Sequence, residues 1–396
     1  MPTKTSVNKI AMLTALASVL QIAESFFPQP IPGVKLGMAN MIVLIAMVQE
    51  GFETAFEISV LRTVISAAIM GSFLSPAFLL SLSAAVTSTC VMGVFLGLQK
   101  KTGMNIFSLT GVSIAGAITH NAVQIILVYF LLIKHSGIFW VLPWLGISAV
   151  GMGLLTGLAA SAVCEKLEDK TATNKFKKTF ALKKGEFTFG PESDKKSALH
   201  AFPADIKILA VLGIAIAVIF FEKLSFYGIV FGALITMAFF TGALKHALTG
   251  IKYTWAFILF SFLTPLLLTP EGKIIFDFIG LRVTEQGFKD GAEYALRISI
   301  LVTASSLAFK TSSPAEITQG IRKLLKPFSG MGLNGERQAH IITKAMEAMP
   351  ELWARTKEYI KRHRVSGTKG IKGLLAALTG IILVFYIDAG EIKNKR

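Results

Sequence analysis

Apolar residues in this chain gather into runs of about 18 or more with few charges, the length that crosses a hydrocarbon core roughly 30 Å thick. In the amino-terminal half these runs lie near residues 9–27, 36–50, 53–71, 75–98, 108–133 and 140–163. The second is short, and the segment before it, Pro28-Gln29-Pro30-Ile31-Pro32-Gly33, cannot continue a helix because proline lacks the donor N–H. A break of that kind at membrane depth must be buried in protein or line a cavity. From residue 164 to about 204 the pattern changes. Lys166, Lys170, Lys175, Lys177, Lys178 and Lys183 punctuate a polar stretch without long apolar runs, the composition of a solvated linker. Runs resume near 206–222, 226–243, 254–269 and 294–310; a long polar segment covers 311–370, and a last run covers about 371–388. The pattern predicts an all-α polytopic membrane protein with about 11 transmembrane helices in two modules. A six-helix module occupies 1–164 and a basic linker 165–204. A module of about five helices occupies 205–396, and its segment 311–370 is helical and cytoplasmic.

Composition agrees, and charge adds orientation. Hydrophobic residues make up 53% of the chain and charged residues 16%, with mean hydropathy +0.62. A soluble domain carries about 25% charge, so this chain is short of polar surface. The net charge of +16, from 40 Lys and Arg against 24 Asp and Glu, points first to cytoplasmic loops and not to nucleic acid. The linker, the Lys245/Lys252 turn and 311–370 are basic and read as cytoplasmic, as does the amino terminus with Lys4 and Lys9. The mildly acidic 270–293 loop reads as external. The last run then leaves Lys393, Lys395 and Arg396 outside, against the rule; either that helix is re-entrant or the count is off by one. Residues 10–27 also resemble a signal-peptide core, with Ala15-Leu16-Ala17 as a cleavage-like site. The apolar run continues past that point, so it is read as a retained helix.

Recognisable catalytic motifs do not occur. There is no G-x-x-x-x-G-K-[ST] loop to cradle phosphates and no Asp-Asp-x-x-Asp to hold diphosphate-binding Mg²⁺. Cys90 and Cys164 lie far apart and the six histidines do not cluster, so no catalytic group, metal site or bound cofactor is assigned. Polar groups inside the apolar runs are the remaining candidates. Arg62 has Glu57 at i−5, too far round a helix for a good pair. An intramembrane charge faces protein or a water-filled cavity, unless it lies near a helix end and snorkels. His120 and Gln124 stand at i and i+4 beside Asn121. That face either hydrogen-bonds a polar ligand or joins helices, and Asn40 has the same two readings. Ala11 and Ala15 form a flat strip that lets another helix approach closely. In the polar segment, Arg337–Lys361 is amphipathic through Ile341, Ile342, Ala345, Met349 and Leu352. Such a helix either couples to a partner or lies on the anionic inner leaflet, where each Lys or Arg is worth about 1 kcal/mol.

These residues carry a resemblance. Residues 9–163 resemble the heptaprenyl diphosphate synthase component I family, also called the Gx transporter family. The matching segments are Gly33-Val34-Lys35-Leu36-Gly37-Met38-Ala39-Asn40, Phe73-Leu74-Ser75-Pro76-Ala77-Phe78-Leu79-Leu80-Ser81-Leu82-Ser83, and Gly111-Val112-Ser113-Ile114-Ala115-Gly116-Ala117 running into His120-Asn121. That family is similar to the substrate-binding S components of energy-coupling factor (ECF) vitamin transporters. In those proteins the first of six helices docks on the coupling subunit through Ala-x-x-x-Ala, and Ala11 and Ala15 match that strip. Residues 200–368 resemble the coupling subunit, the T component. The resemblance is carried by Phe202-Pro203-Ala204-Asp205-Ile206-Lys207, Val283-Thr284-Glu285-Gln286-Gly287-Phe288, Arg297, Lys310-Thr311-Ser312-Ser313-Pro314-Ala315-Glu316-Ile317 and Met349-Pro350-Glu351-Leu352. The family's cytoplasmic coupling helices end in Ala-Arg-Gly motifs that press into grooves of two ABC ATPases. The nearest match is Ala354-Arg355-Thr356, without the glycine.

The resemblance implies a natural S–T fusion in the cytoplasmic membrane that takes up a small metabolite or vitamin-like compound. Its partners would be ABC ATPase subunits, which bind ATP and Mg²⁺ in trans, a small-molecule substrate and membrane lipid, with no nucleic acid. Asn40, Arg62, His120, Asn121 and Gln124 are the candidate substrate residues, and Ala354 and Arg355 the candidate ATPase contacts. The alternative is a membrane accessory subunit of a heptaprenyl or polyprenyl diphosphate synthase in isoprenoid-quinone biosynthesis, with catalysis in a partner. A scaffold without a substrate is the third expectation.

Overall fold

Serine and threonine hydroxyls start several of the helices. In the computed structural model, Ser75 accepts the Phe78 N–H ahead of α4 (Pro76–Thr102), whose Pro76 tolerates the first turn because that N–H is unpaired anyway. Ser108 does the same for α5 (Leu109–Val128) through Gly111. Gly103, at φ 67°, ends α4 by returning its N–H to the Gln99 carbonyl. The structure describes residues 7–25, 37–70, 72–73, 75–103, 106–130, 136–168, 198–221, 223–278, 281–325 and 335–365, with 379–380, 382–383 and 386. The proline segment 28–33, most of the linker and most of the last predicted span lie outside these residues.

The first half also contains α1 (Val7–Ser25), α2 (Met38–Glu50), α3 (Phe52–Met70) and α6 (Leu142–Glu168), the last preceded by a 3₁₀ turn at Ser136–Val141. The second half contains α7 (Ala204–Phe220), α8 (Leu224–Phe240), α9 (Leu244–Leu268), α10 (Glu285–Lys310), α11 (Pro314–Leu325) and α12 (Gly335–Val365). Among the described residues five helices are long and apolar enough to cross a membrane, α1, α4, α5, α6 with its 3₁₀ turn, and α10; a bent α9 would make six. The chain is therefore a largely helical, multi-pass membrane protein. Two features differ from the expected pattern, one of fold class and one of a helix start. The 270–293 loop holds an antiparallel hairpin of β1 (Ile274–Phe278) and β2 (Leu281–Thr284). In addition, α10 begins at Glu285, not near 294. Its first turns are polar and so invisible to a hydropathy window, but Thr284 caps them by accepting the Gly287 N–H at 3.0 Å.

Packing joins the halves. Helix α1 is buried on nearly every face, between α2, α3 and α12. One apolar cluster combines Ile10, Leu13 and Leu16 of α1 with Met41 and Ile45 of α2 and Ile341 of α12. A second combines Ala68 of α3 with α7, α8 and α10. A third places Leu80, Ile125 and Leu145 against Ile298 and Val302 of α10. Polar groups reinforce the seam. The Lys310 ammonium donates to the Ile69 carbonyl at 2.9 Å, a cation at the carboxyl end of α3. Arg337 pairs with Glu57 at 2.8 Å, and Gln338 donates to the same carboxylate.

Small residues let α5 and α6 meet closely. A Cβ on Gly153 would lie 2.7 Å from the Ile114 Cα, and one on Gly157 would lie 2.6 Å from the Thr110 Cα. The outer faces remain apolar: Trp140 is 84% exposed, and Phe220, Ile229 and Phe240 are exposed on α7 and α8. These are surfaces for lipid, with tryptophan suited to its interface.

Candidate functional site

Within the first half, α1 to α6 line a partly open cavity of about 50 Å³ with polar side chains among an otherwise apolar lining. Arg62 comes from the middle of α3 and is only 4% exposed. It donates to the Gln21 amide oxygen of α1 at 2.7 Å and to the Asn40 amide oxygen of α2 at 2.5 Å. Its Nε has no hydrogen-bond acceptor among the described residues. The expected mismatch with Glu57 is observed, because Glu57 turns instead to Arg337 and Gln338. Glu24, one turn from Gln21 on α1, also lines the cavity and accepts the Met38 N–H at the start of α2. Gly37, at φ 77°, makes the turn that brings this N–H there.

The opposite wall comes from α5 and α6. His120 and Asn121 line it, and the Asn121 amide donates to the Leu145 carbonyl at 3.0 Å. Ser113 and Thr156 meet across the two helices at 2.9 Å. Four of the five expected residues, Asn40, Arg62, His120 and Asn121, thus share one cavity. Gln124 is buried but does not line it. From α5 the lining runs along one face through Ser113, Gly116, Ala117, His120 and Asn121 and stops one turn short of Gln124. Gln21 and Glu24 were missed. Their signal was two polar groups at i and i+3 inside an apolar run, one face of one helix.

Ala11 and Ala15 are buried on α1, in the cluster that includes Ile341, Ile342, Ala345, Met349 and Leu352 of α12. Farther along α12, Ala354 and Arg355 are half-buried, and the Arg355 guanidinium pairs with Glu351. The helix continues through Thr356, where the coupling motif would have glycine, to Val365.

Two families match the chain, one in each half. Residues 13–163 match the family described as heptaprenyl diphosphate synthase component I. Residues 195–347 match the family described as cobalt transport protein. Similar curated proteins are energy-coupling factor transporter transmembrane proteins. That of Thermosediminibacter oceani is 28% identical over 211 residues, 52% of this chain and 78% of the relative. That of Brevibacillus brevis is 27% identical over 181 residues, 46% of this chain and 68% of the relative. That of Acidaminococcus fermentans is 28% identical over 220 residues, 52% and 80% of the two chains. The order expected from the sequence, an S-like module followed by a T-like one, is the order of these matches.

Proposed function

We infer that this chain is a membrane component of an ECF-type transporter, a fusion in which the first module binds a small molecule and the second couples it to ATP hydrolysis on other chains. The seating of α12 on α1 carries the inference. An amphipathic helix of the transporter-like half packs against α1 of the S-like half and shares one apolar cluster with it. Binding and coupling modules joined there can exchange a change in shape. The relatives are transporter components and not enzymes, in keeping with a non-catalytic chain. The full proposal comprises about 11 spans in the cytoplasmic membrane, uptake of a metabolite or vitamin-like compound, and two ABC ATPases that hold ATP and Mg²⁺. Ala11 and Ala15 form the docking strip, and Ala354 and Arg355 contact an ATPase.

The match of residues 13–163 favours a second reading, an accessory subunit of a polyprenyl diphosphate synthase. Affinity purification of the tagged chain from its native membrane separates the two. Two ABC ATPases in the eluate are the expected result. Recovery of a soluble prenyl synthase without ATPases would replace the transporter proposal with the second reading.

A further inference from the structure

The hydrogen bonds around the cavity divide it into a donor end and an acceptor end. At the donor end stands Arg62. Its guanidinium is held by the neutral amide oxygens of Gln21 and Asn40, and its Nε–H is uncommitted among the described residues. Both amides can rotate, and each carries an NH₂ that can follow an incoming anion. A planar carboxylate matches the guanidinium fork, forming two parallel bonds in which both partners are charged, where the amide acceptors are now neutral. Glu24 lies in the same lining, with its carboxylate bonded to the Met38 N–H. Its charge balances Arg62 and would repel a ligand carrying several negative charges.

At the other end the hydroxyl protons are already committed. Ser148 donates to the Leu145 carbonyl at 2.9 Å, and Thr156 to the Met152 carbonyl at 2.8 Å. The Asn121 NH₂ is likewise bonded to the Leu145 carbonyl. The two hydroxyls offer the cavity oxygen lone pairs, as does the Asn121 amide oxygen beside its second N–H, so this wall accommodates a partner that brings O–H or N–H.

We propose that the cavity takes a small organic monoanion whose carboxylate is forked by Arg62 and whose hydroxyl or N–H groups face the oxygens of α5 and α6, a proposal that rests on the substrate-binding role of the first module. A diphosphate is disfavoured. It would bring at least two charges to a buried site with one arginine and one glutamate among its described lining residues.

Calorimetric titration of the purified full-length chain in lipid nanodiscs tests this without the ATPases. The probes are glycerate, 2,4-dihydroxybutyrate and N-acetylserine, each beside its primary amide, with propionate lacking the donors and dimethylallyl diphosphate as the polyanion. At least one donor-bearing carboxylate is expected to bind about tenfold or more tighter than its amide and than propionate. Arg62→Gln is expected to abolish that preference. The matched amides keep the test valid in the wild-type protein should the variant misfold. Equal binding of acid and amide, tighter binding of the diphosphate, or no carboxylate binding would overturn the proposal. Carboxylate binding by a chain that recovers no ATPases would leave this site standing and remove the transporter reading. Recovered ATPases without carboxylate binding would do the reverse.

Discussion

Arg62 is a buried charge held by two neutral amides, and what it supports can be measured. Arg62→Leu leaves the Gln21 and Asn40 side chains without their donor in a low-polarity interior. A loss of about 1–3 kcal/mol is expected for such orphaned groups, read as a lower thermal midpoint of the purified protein. Glu57 is a contrast. Its partner Arg337 has a side chain 41% exposed, so water and salt screen the pair. Glu57→Gln should therefore cost at most about 1 kcal/mol, with the difference shrinking as salt rises; a salt-independent loss would show the pair to be more buried than it is here. At this scale the sequence was informative about Arg62, Asn40, His120 and Asn121, because a polar residue inside an apolar run has few affordable places to go. It was silent about which of them meet, since two helices, α3 and α4, separate His120 from Asn40 in the chain.

Helix contacts depend on the absence of side chains as much as on their presence. Gly157→Val would push a side chain into the Thr110 backbone, where a Cβ alone lies 2.6 Å from the Cα. The expected cost is about 1–3 kcal/mol from overpacking, with the cavity wall of α5 and α6 forced apart. Gly97→Ala on α4 meets nothing within 4 Å and should be neutral, or stabilising by up to about 1 kcal/mol through helix propensity. Thermal unfolding of the two variants side by side checks the pair of predictions. Ala15 is fully buried where α1 meets α12. Ala15→Leu should wedge these helices apart and reduce co-purification of the separately expressed halves. Unchanged co-purification would show that the strip does not hold them. Most helix boundaries were legible to within a few residues because apolar length follows bilayer thickness. Helix α9 is an exception: it begins at Leu244, not near 254, so Lys245 and Lys252 lie in its polar first turns and not in a turn between helices. The start of α10 and the β1–β2 hairpin were not legible either, since a polar helical turn and a short exterior strand leave no mark on hydropathy.

For the whole molecule the expected consequence is that the halves act as one body. Apolar clusters, the Lys310–Ile69 bond and the Arg337–Glu57 pair all cross between them. A protease site placed within residues 169–197 should leave both fragments eluting together after cleavage. Separation on cleavage would show that the linker alone joins them. Once linked, docking is intramolecular, at an effective concentration around the millimolar range.

By itself the sequence determined that this chain lives in a membrane, that it has two unlike parts, and that a basic amphipathic segment belongs to the second. Each of these follows from local composition and periodicity, which a bilayer reads one segment at a time. Only the tertiary structure decided that Gln21, Asn40 and Arg62 converge on one cavity with His120 and Asn121, and that Gln124 stays outside it. The tertiary structure also decided that α12 lies on α1. Such choices depend on the rotation and depth of each helix against its neighbours, which are set by packing between residues distant in the chain.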